Sequence, residues 1–104
     1  MNSENKTLNL TLTKNSFEIM ITGEKNIEYR KVSEWILSRL NKNYNDVKFI
    51  NGYGKKRPFF IAKFIKWDFA EKDEVISYSN GQKVYVDTGT IRIFLGNVIE
   101  TGNL

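Results

Sequence analysis

The chain has 104 residues, is 40% hydrophobic and carries seven Phe, five Tyr and two Trp, which predicts one folded domain with a modest core rather than a disordered tail. It contains no Cys and no His, which removes disulfides, thiolate metal sites, cysteine nucleophiles and the commonest general base and metal ligand. Any chemistry therefore falls to Lys, Glu, Asp, Thr, Ser, Tyr or Arg, and no metal or cofactor is expected.

The net charge of +4 is unevenly spread. Residues 1–40 hold six Lys/Arg against five Asp/Glu, residues 41–67 seven against one, and residues 68–104 three against six. The middle third is a basic block, which suggests a polyanionic partner with nucleic acid as first candidate; a merely solubilising surface is the alternative. No apolar run approaches the roughly 20 residues that span a bilayer. Met1-Asn2-Ser3-Glu4-Asn5-Lys6 has no apolar core region after it, so a secretory leader is not expected, and the expectation is a cytoplasmic protein without membrane contact.

In chain order, Thr7–Leu12 alternates with Leu8, Leu10 and Leu12 on one face, a half-buried strand. Asn15 or Ser16 is positioned to cap a helix bearing Phe17, Met20 and Ile21, and Gly23 ends it. Asn26–Lys31 reads as extended, with Ile27 and Tyr29 toward a core and Glu28 and Arg30 toward a cleft. Lys25 sits in the preceding turn, free to bend toward either face. Ser33 caps a second helix to about Leu40 that is expected to bury Val32, Trp35, Ile36 and Leu40.

Beyond the polar loop 41–45, Asp46–Ile50 is a strand, and Phe59–Trp67 is the longest and most central one, apolar on both faces. Between them, Asn51-Gly52-Tyr53-Gly54-Lys55-Lys56-Arg57-Pro58 is a turn-rich basic loop. Asp68–Asn80 reads as an acidic, irregular connection. Gln82–Val86 and Thr90–Leu95 read as strands of a hairpin turning at Asp87-Thr88-Gly89, and Val98 and Ile99 suggest a further short strand. No repeat, linker or second domain is visible. The predicted fold class is α+β: a small β-barrel of about five or six mostly antiparallel strands with two helices covering one opening, because closure disposes of the exposed edges.

The stretch Gly23-Glu24-Lys25-Asn26-Ile27-Glu28-Tyr29-Arg30 resembles the G-x-K-x-x-E-x-R signature of ASCH domains, within the PUA-like β-barrel superfamily. Leu10-Thr11-Leu12 and Phe17-Glu18-Ile19-Met20 are similar to the strand and helix leading into that signature. Phe49-Ile50-Asn51-Gly52-Tyr53-Gly54 and Ile93-Phe94-Leu95-Gly96 look like a small subgroup often carried by bacteriophages and prophages. The resemblance runs over residues 8 to 100. It implies a PUA-like barrel and a cleft, lined by the signature, that handles RNA or a nucleotide. Some ASCH proteins are small amidohydrolases that deacetylate N4-acetylcytidine, using a Lys of the signature, a Thr three residues later and a distant Glu. Lys25 matches that Lys, whereas the Thr position is Glu28, so the hydroxyl is missing.

Two functional classes follow. In a binding module for RNA, single-stranded nucleic acid or a nucleoside-sized ligand, Lys25 and Arg30 hold a phosphate or base carbonyl and Glu28 accepts from a base amino group or braces the cations. The glycine-flanked Tyr53 stacks on a base, and Lys55, Lys56 and Arg57 meet phosphates. In a small enzyme acting on a modified nucleoside, Lys25 is nucleophile or general base and Glu28 its acid–base partner. An ion pair that only stabilises the helix–barrel seam, and a hairpin loop with a solubilising tip, are the structural alternatives. A weaker third possibility, suited to a phage gene, is an inhibitor that occupies a host nucleic-acid-binding protein.

Overall fold

A computed structural model describes residues 6–104 of the chain; the reading of Met1–Asn5 as no leader lies outside the described residues. The leucine alternation becomes β1 (Thr7–Leu12), with Leu8, Leu10 and Leu12 all buried. The helix α1 (Lys14–Ile21) begins two or three residues earlier than Asn15 or Ser16 would set it. Thr13 is its cap, accepting from the Ser16 amide, and the capping residue lies outside the helix it starts. Gly23 takes φ +88° just past the helix and donates its N–H to the Met20 carbonyl, the left-handed ending that glycine adopts without steric cost.

Strand β2 (Ile27–Arg30) and helix α2 (Glu34–Leu40) follow, and the Ser33 hydroxyl accepts from the Ile36 amide as expected. Only part of the predicted α2 core is inside. Ile36 and Leu40, four residues apart, are buried, whereas Val32 and Trp35 are half exposed. Val32 precedes the cap and is not helical, and Trp35 lies about 100° round the axis from Ile36. A two-turn helix needs one narrow stripe to dock, and Trp35 is off it.

Five strands form one curled half-barrel in the order β1, β3 (Asp46–Asn51), β4 (Phe59–Phe69), β7 (Ile91–Gly102), β2. The β1–β3 pair is parallel and the other three are antiparallel. The fold is α+β, and both helices contribute to a core that includes Leu10, Phe17, Ile36, Phe49, Phe60, Ile91 and Ile93. Phe60 sits at its centre, 5.0 Å from the Phe49 ring and 5.2 Å from Phe17. The β4–β7 register shifts between Ile61 and Lys66; such irregularities bend a strand and increase its twist, which curls the sheet.

The predicted hairpin of residues 82–95 does not form. β6 (Lys83–Val86) pairs with β5 (Glu74–Ser77), inside the stretch expected to be irregular, as a separate two-stranded ribbon. β7 pairs with β4 and β2 and continues unbroken through Val98 and Ile99. The core decides this: Ile91 and Ile93 are fully buried, which holds β7 in the main sheet. Among the described residues no helix is long and apolar enough to cross a membrane.

Candidate functional site

The site begins where the Gly23 turn delivers the chain into β2. Lys25 and Glu28 are the buried charged residues among those described, at 4% and 5% exposure. The β2–β7 register explains Glu28: it lies opposite Ile93, and Arg30 lies opposite Ile91. Both isoleucines are fully buried, so Glu28 and Arg30 are on the core-facing side of β2. Ile27 and Tyr29 are on the other face, half-buried beside Ile76 and Tyr78 of the ribbon. The expected assignment of β2's apolar face to the core is thus reversed. Inward charge is tolerated because it arrives as a set of two cations and one carboxylate in contact.

The contacts within that set are unequal. Arg30 Nε donates to Glu28 Oε2 at 2.8 Å, and Arg30 Nη2 donates to the Thr11 carbonyl at 2.8 Å. That second bond ties β2 to β1, the two edge strands of the half-barrel. Lys25 Nζ stands 3.6 Å from Glu28 Oε1, an ionic contact longer than a hydrogen bond. The Tyr78 ring lies 5.6 Å from the same ammonium. Burial pushes the Lys25 pKa down and the Arg30 charge adds to this, while Glu28 opposes it. Burial also raises the Tyr78 phenol to about 12, aided by the Tyr29 and carboxylate charges around it.

Lys25 forms part of the wall of an open cleft of about 560 Å³, between the end of α1 and the β4–β7 surface. Met20, Phe60, Ala62 and Leu95 supply its apolar wall and Asn26 and Asn97 its amides. Glu28 and Arg30 do not line it; they stand behind Lys25. Sequence reading missed Asn97 as a site component because it is isolated in the chain, gave no role to Asn26 beside Lys25, and left Tyr78 an aromatic candidate without a place; the fold gathers them. The roof of the signature turn is also remote in sequence. Glu24 accepts from the Ser79 amide at 2.7 Å and from its hydroxyl, and Asn80 Nδ2 donates to the Asn15 carbonyl at 3.0 Å.

The basic loop is a separate constellation. Tyr53 is 88% exposed, and Lys55, Lys56 and Arg57 are exposed as well. Arg57 folds back, donating from Nε to the Asn51 carbonyl at 2.7 Å and lying over Gly52. Lys56 and Arg57 border a shallow groove with Lys48 and Phe59, which does not include Tyr53 or Lys55. Loop and signature meet through the backbone of β1: Gly52 donates to the Leu12 carbonyl, next to the Thr11 carbonyl that Arg30 uses. Among the described residues none of the seven cations of the 41–67 block makes an ion pair, and no three acidic side chains gather in a way that would hold a metal ion.

No protein-family model, no curated protein and no solved structure matches this chain.

Proposed function

We propose that this chain is an ASCH-like, PUA-like module that binds RNA or a nucleotide. The observation that carries this reading is the charge arrangement at the cleft: Glu28 is engaged at 2.8 Å by Arg30, while Lys25 keeps only a 3.6 Å contact. The Lys25 ammonium is then the donor left for a ligand phosphate or base carbonyl. The cleft volume of about 560 Å³ suits a nucleoside-sized group. The cations of residues 41–67, which make no ion pair among the described residues, supply the complementary field for a phosphate backbone, and exposed Tyr53 supplies a stacking surface. The test is a fluorescence anisotropy titration with short single-stranded RNA at two salt concentrations. Binding falls with salt, and a Lys55/Lys56/Arg57 triple alanine flattens the log–log slope by roughly one per phosphate contact removed. Salt-independent association, or none, refutes the reading.

One observation favours a second reading, an amidohydrolase acting on a nucleoside such as N4-acetylcytidine. Burial lowers the Lys25 pKa, which increases the fraction of neutral amine available as nucleophile or general base, with Glu28 beside it as acid–base partner. Turnover then rises with pH through the lowered Lys25 pKa and vanishes in Lys25→Ala with the fold intact. Full activity in that variant excludes it.

A further inference from the structure

A second concave surface lies along β1, lined in part by Leu8 and sharing no residue with the Lys25 cleft. It is a groove of about 410 Å³ between the edge strand β1 and helix α2. Trp35 and Arg39, one helical turn apart, form one wall, Thr7 and Asn9 form the other, and Tyr44 closes one part of it. Trp35 is the side chain that the core rejects: it is half exposed, and the Arg39 guanidinium stands over its ring at 5.1 Å. Tyr44 is held from behind by Phe64, with ring centroids 6.2 Å apart. The aromatic surfaces are therefore braced by a cation on one side and by the core on the other.

Arg39 is the charged residue that lines the groove, and two lysines lie close to its lining residues in the chain. Lys6 precedes Thr7, and its backbone exchanges bonds with Asn45, next to Tyr44. Arg39 and Lys42 follow Trp35 on α2 and just beyond it. Of the two neighbouring carboxylates, Asp46 accepts from the Thr7 hydroxyl at 2.6 Å, and Glu34 lies one residue from Trp35, about 100° round the helix. A half-open indole, a second aromatic ring, an amide and a guanidinium form a surface for a planar, hydrogen-bonding, anionic group.

We infer that this groove is a stacking subsite for one unpaired base of a single-stranded RNA. The base stacks on Trp35, the Asn9 amide reads its edge, and Arg39 with Lys6 or Lys42 takes the adjoining phosphate. The inference rests on the nucleic-acid reading above but places a contact where that reading has none.

The experiment follows a 5′-labelled short oligouridylate by anisotropy and by intrinsic tryptophan emission, with wild type, Trp35→Ala, Trp35→Phe and Lys25→Ala. Trp67 also emits, so the difference between wild type and Trp35→Ala isolates Trp35. The expected result is saturable quenching that Trp35→Ala abolishes, an affinity loss of about tenfold in that variant, and largely retained affinity in Trp35→Phe. Lys25→Ala weakens binding yet keeps the quench. Unchanged affinity and quench in Trp35→Ala overturn the subsite, even where Lys25→Ala weakens binding and the cleft reading stands. Loss confined to Trp35→Ala supports the subsite and removes the cleft. No binding by wild type overturns both.

Discussion

Glu28 is the residue on which the local electrostatics turn, because its two oxygens serve two cations unequally. Removing Arg30 takes away the 2.8 Å partner of a buried carboxylate and the bond to Thr11 together. Arg30→Ala should therefore cost about 3 kcal/mol in urea denaturation, and a loss well under 1 kcal/mol would show that the pair is not structural. Lys25 gives a pH signature. Its folded pKa lies below the ordinary 10.5, so between those two values the unfolded chain binds the extra proton and stability rises with pH. Lys25→Met should remove that rise below about pH 9, where tyrosines are still largely protonated in both states; an identical rise in the variant would assign it elsewhere. The sequence brought Lys25, Glu28 and Arg30 together but turned Glu28 and Arg30 to the wrong face and left that of Lys25 open. Alternation names two faces without saying which is inside, and Ile91 and Ile93, more than 60 residues away, make that choice.

At the scale of elements, the β5–β6 ribbon is the piece least visible in the chain and most relevant to the site. It shares no strand pairing with the half-barrel. Its tip is clasped by Glu24 on Ser79 and its base by Asp73, which accepts from the Thr88 amide at 2.7 Å and from its hydroxyl at 2.9 Å. Glu24→Ala should therefore speed amide exchange across residues 74–86 while leaving β4 and β7 protected; uniform exchange rates in both regions would show that the ribbon does not open independently. β5 was illegible because its two apolar residues, Val75 and Ile76, sit in an acidic stretch without alternation. The end of α1 and the start of α2 were legible, since Gly23 and Ser33 mark those boundaries chemically, whereas the Thr13 cap of α1 was not. Trp35 was misplaced because a short helix docks on fewer positions than its apolar residues suggest.

The whole molecule separates what carries the fold from what carries charge. The curl comes from apolar residues that alternate clearly in the chain, such as Leu8, Leu10 and Leu12 or Val47 and Phe49, and this is why the fold class was readable. Phe60→Ala, at the junction of α1, β3 and the cleft wall, should cost about 3–5 kcal/mol by denaturation, and a cost below 1 kcal/mol would place the core elsewhere. The charge asymmetry was equally readable and survives folding. The acidic final third spends Asp68 on Arg92, at 2.7 and 2.8 Å, and Asp73 on Thr88, while the cations of the basic block make no ion pair among the described residues. The cleft was not legible as a volume, because its wall is assembled from α1, β4 and β7, segments distant in sequence.

The central claim is that Lys25 is the cleft's ligand-binding cation while Glu28 is held by Arg30. The most direct measurement is the affinity of wild type and Lys25→Ala for the same labelled single-stranded RNA, with both variants shown to be folded by circular dichroism. A loss of roughly tenfold or more in Lys25→Ala is the predicted result. Equal affinity of the two folded proteins would contradict it.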